Sequence, residues 1–168
     1  MSNKHTYHLA EFNFGVLRHD WDDPRVAGFV NALDRVNAVA KRSPGFVWML
    51  SEDAMETEQN TPDGALGGNP LIASTLSVWE DVASLDAFVF NTVHRQFYQR
   101  RAEWFDAVTG GNLVMWWVPV GHRPSVAEGM ARWQHREANG DSDHAFGWAV
   151  LKDAQFWQSR NCTPVAAE

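Results

Sequence analysis

Two histidines and a set of strand-borne polar and aromatic side chains carry the chemistry this sequence can offer. His94 stands at the junction of two helical segments, and His122 follows Val120-Gly121 where a strand turns toward a helix. Imidazole is the side chain most readily set up as a general base near neutral pH, and turns of this kind present groups to a pocket mouth. His94 and His122 are therefore the candidate catalytic residues. A structural role stands beside that reading, because a histidine at a helix end also caps carbonyls, and His94 can pair with Asp86 or Glu103. No His-x-x-x-His or Glu-x-x-His spacing accompanies either histidine, so no metal site is expected.

The candidate substrate-binding residues are Glu11, Asn13, Thr75, Ser77, Trp79, Trp116 and Trp117. Glu11 and Asn13 share one strand face with Leu9, where loss of water would raise the pKa of a carboxyl group and fit it for proton transfer. The competing reading places that end of the strand in water. Trp79 shares its face with Ala73, Thr75 and Ser77, small residues that leave room for a guest. Trp116 and Trp117 are neighbours on a strand and must face opposite sides, so one packs under helices and the other lines a cavity; their order leaves open which. Asn37, four residues after Leu33 on an apolar helical stripe, is expected to tie helix to strand.

The elements that position these groups follow from periodicity. Alternation predicts strands over 8–14, 46–50, 71–79 and 112–119, and Val26, Phe29, Val30, Leu33, Val36 and Ala40 predict a helix opened by Asp23-Pro24. Asp81 caps a second helical region ending at Gly110-Gly111, Ser125 and Glu128 make a capping box for a third, and 145–151 reads as a further strand. The acidic, glycine-rich stretch 51–70 reads as a long loop. The order strand, helix, strand, strand, helix, strand is the split βαβ arrangement of a ferredoxin-like α+β fold, with helices on one sheet face. The other face, mixed aromatic and polar, then calls for a second copy: a homodimer whose two sheets close into a dimeric α+β barrel around a cavity. The chain reads as one domain over 1–151, with a core at 8–120, a C-terminal helical extension at 121–151 and a tail at 152–168.

Composition narrows the function. A net charge of -7 argues against nucleic acid as a partner, and the basic run from His94 to Arg101 reads as a solvated helix face. A single cysteine, Cys162, fits a reducing cytoplasm, and no apolar run approaches the roughly 20 residues that cross a bilayer, so neither membrane nor signal peptide is expected. Phosphate-cradling, dinucleotide and nucleophile-elbow motifs are missing from the sequence. Nine tryptophans indicate a heavily aromatic core or a cavity lined with flat rings.

The segments 8–14 (HLAEFNF), 22–48 (DDPRVAGFVNALDRVNAVAKRSPGFVW), 77–90 (SVWEDVASLDAFVF), 94–105 (HRQFYQRRAEWF) and 115–124 (MWWVPVGHRP) resemble an uncharacterised bacterial domain-of-unknown-function family over roughly residues 8 to 148. That family in turn resembles the dimeric α+β barrels of the antibiotic-biosynthesis monooxygenase type, through the strand ending in Val78-Trp79, the helix after it and His94 one helix later. The resemblance implies a cofactor-free enzyme acting on an aromatic or polyketide-like substrate; a haem-degrading branch of the group uses an asparagine, a tryptophan and a haem-ligating histidine. The 51–70 loop and the helix after His122 depart from that pattern. Two function classes follow: a small-molecule enzyme of the monooxygenase-like type, without cofactor or with haem, and a non-catalytic ligand-binding or interaction protein with the same cavity.

Overall fold

Side chains that alternate between apolar and polar in the sequence pair into one sheet. Four strands, β1 (Tyr7–Val16), β2 (Phe46–Met49), β3 (Ile72–Trp79) and β4 (Leu113–Pro119), form an open antiparallel sheet in the order β2-β3-β1-β4. The computed structural model describes residues 6–106 and 112–150. The expected Gly110-Gly111 breaker, Leu151, the tail from Lys152 and Cys162 lie outside the described residues. As expected, β1 and β3 are central neighbours, with Leu9 opposite Trp79, Glu11 opposite Ser77 and Asn13 opposite Thr75. On the other side of β1, Leu9 faces Trp117 and Glu11 faces Met115.

Six α-helices pack on this sheet: α1 (Ala27–Val30), α2 (Leu33–Arg42), α3 (Glu52–Asn60), α4 (Val82–Asn91), α5 (His94–Trp104) and α6 (Val126–Asn139). The signals read at their starts operate: Asp23, Asp81 and Ser125 each accept a backbone N–H with the side chain, satisfying donors that a first turn leaves orphaned. The first helix of the sequence reading is broken into a 3-10 turn at Pro24–Val26, α1 and α2, the break falling at Asn31-Ala32. The 51–70 loop is corrected in its first half, where Ser51 caps α3 and Met55 anchors it to the sheet core. The strand expected at 145–151 is replaced by isolated bridges at Ala145 and Phe146 and a 3-10 turn at Trp148–Val150.

Helices cover both faces, contrary to the expectation of one. Leu9, Trp79, Met115 and Trp117 pack with Ala40 of α2 and with Leu85, Phe88 and Val89 of α4. Through the sheet, Ala10, Phe12, Leu76, Val78, Val114 and Trp116 pack with Met55 of α3 and Val126 of α6. The mixed face with Glu11, Trp79 and Trp117, expected to stay uncovered and to face a second sheet, thus lies under α2 and α4, the helices of the split βαβ core, while α3 and α6, which lie outside that core, cover the opposite face. At the far end, Phe105 closes on Gly15, where an added Cβ would stand 2.6 Å from the ring. No helix among the described residues is long and apolar enough to cross a membrane.

Candidate functional site

Strand alternation puts Glu11, Asn13, Thr75, Ser77, Trp79 and Trp117 on one sheet face, the face under α2 and α4. At its centre Glu11 is only 5% exposed. Its Oε1 accepts from the Asn13 amide and its Oε2 from the Ser77 hydroxyl at 3.2 Å, while the Trp79 indole N–H donates to Ser77 Oγ at 2.9 Å. Burial pushes the Glu11 pKa up to about 7, and the hydrogen bonds from Asn13 and Ser77 oppose the shift in part. A carboxyl group held near neutrality releases and takes a proton with little driving force either way, which is what general acid-base work requires. Asn13 and Thr75 are half-buried, so the network approaches the surface on that side.

Trp79 stacks on Phe88 at 5.2 Å, and Phe88 in turn meets the His94 ring at 4.9 Å. His94 therefore belongs to the same aromatic layer as Trp79. Neither Asp86 nor Glu103 pairs with it: its backbone N–H donates to Thr92 Oγ1, its Nδ1 lies 3.3 Å from the Val89 carbonyl, and Glu103 binds Arg100. Burial lowers the pKa of His94, which favours the neutral ring.

His122 and Trp116 go to the opposite face. His122 Nε2 lies 2.9 Å from Glu128 Oε2, and Glu128 Oε1 accepts from the Trp116 indole N–H at 3.0 Å. The expected common pocket is thus divided by the sheet: Glu11, Asn13, Ser77, Trp79, Trp117 and His94 on one side, His122 and Trp116 on the other. Of the two neighbouring tryptophans, Trp116 packs toward α6, and Trp117 lies beside Phe146 in the Glu11 layer. Asn37 ties helix to helix instead of helix to strand, donating to Glu52 at 3.0 Å.

Residues 8–162 match the family described as a domain of unknown function, DUF3291. This chain belongs to the DUF3291 family. No curated protein matches the DUF3291 chain. Among solved structures, a protein of unknown function from Nitrosomonas europaea aligns with a TM-score of 0.43 and 13% identity over 72% of this chain and 96% of that one.

Sequence reasoning about this DUF3291 domain missed the partners on α6. A capping-box glutamate ordinarily reaches back to its own N-cap. Glu128 turns instead to Trp116 and His122, two residues that pattern reading placed separately. Four residues on, Arg132 is 7% exposed and donates to both Nδ1 and the carbonyl of His144 at 2.9 Å. The Glu128-Arg132 spacing was the legible signal. Two surface depressions lie away from the Glu11 network: one of about 520 Å³ against Asp53, Glu56 and Thr57 of α3, and one of about 420 Å³ between Ser43-Pro44 and the outer side of α4. No cluster of three or more metal-ligating side chains occurs among the described residues.

Proposed function

We propose that the protein is a small-molecule enzyme of the monooxygenase-like type in which Glu11 removes a proton from an aromatic or polyketide-like substrate held on the sheet face. The observation that carries this reading is the buried Glu11 carboxyl group, poised near neutrality and fixed by Asn13 and Ser77 beneath Trp79. Asn13 and Ser77 orient the carboxyl group, and Thr75 lies beside Asn13 on the half-buried side of the network. Trp117 supplies a flat ring against which an aromatic guest stacks, and the stacked pair Trp79 and Phe88 forms the wall beside it. Proton removal makes an aromatic ring electron-rich and so open to oxidation by dioxygen, the step a cofactor-independent monooxygenase needs.

The reading proceeds without haem. His94 is packed against Phe88, and an axial ligand there would have to part the two rings. His122, on the other face, is assigned no part in this step. A ferredoxin-like relationship is supported by the strand order β2-β3-β1-β4. The paired barrel is not carried into this proposal, because the chain's own helices cover both faces of the sheet. The test is solvent-deuterium exchange into a panel of phenols and aryl ketones, followed by nuclear magnetic resonance. Wild-type protein should accelerate exchange for some member, and Glu11→Gln should slow it by about 100-fold or more, since positioned proton transfer contributes at least that much. Equal rates in the two proteins would remove Glu11 from the reaction and favour a ligand-binding role.

A further inference from the structure

We infer that Trp117 is the donor that receives an oxygen atom of the guest, so that the site takes flat aromatic molecules carrying a carbonyl or phenolate oxygen. The inference rests on the Glu11 reading and narrows its substrate class. Trp117 is 9% exposed, and its indole Nε1 is buried without a hydrogen-bond partner among the described residues. A buried donor left unpaired has lost its water without a replacement, so such a group in a folded core needs a reason. Trp79 shows the alternative, because its own indole N–H on the same face is satisfied by Ser77.

Register places the unpaired donor where a ligand oxygen would be useful. Leu9 lies between Trp79 and Trp117 in one cross-strand row, and Glu11 lies between Ser77 and Met115 in the next. Trp117 is thereby diagonal to Glu11 across β1 and β4, a spacing of ~7–8 Å in an antiparallel pair. At that backbone spacing both side chains reach one patch of the sheet, where a single substituted aromatic ring can meet the two. With the substituent oxygen on Trp117 N–H, the proton next to it is presented to Glu11, and the charge left on oxygen after transfer stays hydrogen-bonded.

Access follows from how the neighbouring ring is held. Phe146 lies 6.0 Å from Trp117 and is joined to β4 by two hydrogen bonds with Met115, of 2.7 and 2.9 Å. Opening that isolated pair would draw Phe146 from the indole while leaving the β1-β4 ladder intact. Trp148 provides an internal comparison: its Nε1 is also buried and unpaired, yet it packs on Phe90, and it follows Phe146 in the direction of Leu113 rather than Trp117.

The experiment compares binding of 2-acetylnaphthalene with that of 2-ethylnaphthalene, which has nearly the same shape but no acceptor oxygen, by fluorescence titration of wild-type, Trp117→Phe and Trp148→Phe proteins. Wild type and Trp148→Phe should prefer the ketone, and in Trp117→Phe the ratio of ketone to ethyl affinity should fall by about 2- to 10-fold. Equal binding of the two compounds to wild type, or the same loss in Trp148→Phe, overturns the Trp117 assignment and leaves the Glu11 reading standing. Failure of both compounds to bind wild type overturns the inference together with the aromatic site itself. Deuterium exchange slowed by Glu11→Gln but untouched ketone preference in Trp117→Phe would overturn the inference alone.

Discussion

Taken out of water, the Glu11 carboxyl group holds its proton to about pH 7, whereas the unfolded chain releases it near 4.5. Between those values the folded state binds the extra proton, so the contribution of Glu11 is full below 4.5 and is lost as pH rises through about 7. Glu11→Gln cannot ionise. Relative to wild type it should therefore gain about 2–3 kcal/mol between pH 5 and pH 8, which urea unfolding at the two pH values would measure. A difference that does not change with pH would refute the assignment. Much of this site was legible from alternation alone, which aligned Glu11 and Asn13 with Thr75, Ser77 and Trp79 on facing strands. What alternation could not read was depth: α2 and α4 bury the Glu11 face, and α6 draws His122 to the opposite side of the sheet.

Among the elements, α6 is the one whose seat on the sheet can be tested most directly. Gly129 lets its backbone approach β1 so closely that an added Cβ would meet the Phe12 ring at 2.8 Å. Gly129→Ala should therefore destabilise the fold by about 1–3 kcal/mol despite alanine's higher helix propensity, as thermal unfolding would show. The segment after α6 is held by a different device. His144 Nδ1 accepts from Arg132 at 2.9 Å, its ring sits 4.4 Å from His135, and Arg136 pairs with Asp141 at 2.7 Å. Burial, then the charge of Arg132, lowers the His144 pKa, so its contribution is present above the ordinary imidazole value of 6.5 and is lost as pH falls below it. Lowering pH from 7.5 to 5.5 should speed amide exchange at Phe146 relative to Phe12, and His144→Gln should abolish that pH dependence. Helix α3 was hidden in the sequence because a short run of Glu, Asp, Thr and Gln has one apolar anchor, Met55, and periodicity needs several.

At the scale of the whole molecule these titrations oppose one another. His94 and His144 are held neutral in the fold and weaken it on acidification, whereas Glu11 favours the more acidic side of the same range. The stability of Glu11→Gln should consequently climb more steeply than that of wild type between pH 5 and pH 7. Melting temperatures recorded over that range decide it: a wild type as steep as the variant would mean that the three groups do not share one balance.

The treatment of the two sheet edges bears on how the protein behaves in a crowd. Open strand edges are templates on which further chains can add, and folded proteins keep them short, bent or occupied. Here β2 is four residues long and shifts register between Phe46 and Trp48. Along β4, Arg136 donates to the Leu113 carbonyl at 2.8 Å, Phe146 takes both backbone groups of Met115, and Pro119 offers no N–H. Sheet growth from one molecule to the next is thereby blocked at either end near neutrality. The Phe146 guard, however, stands two residues from a histidine that acid disturbs, so acidification should loosen this edge at Met115 before the opposite one.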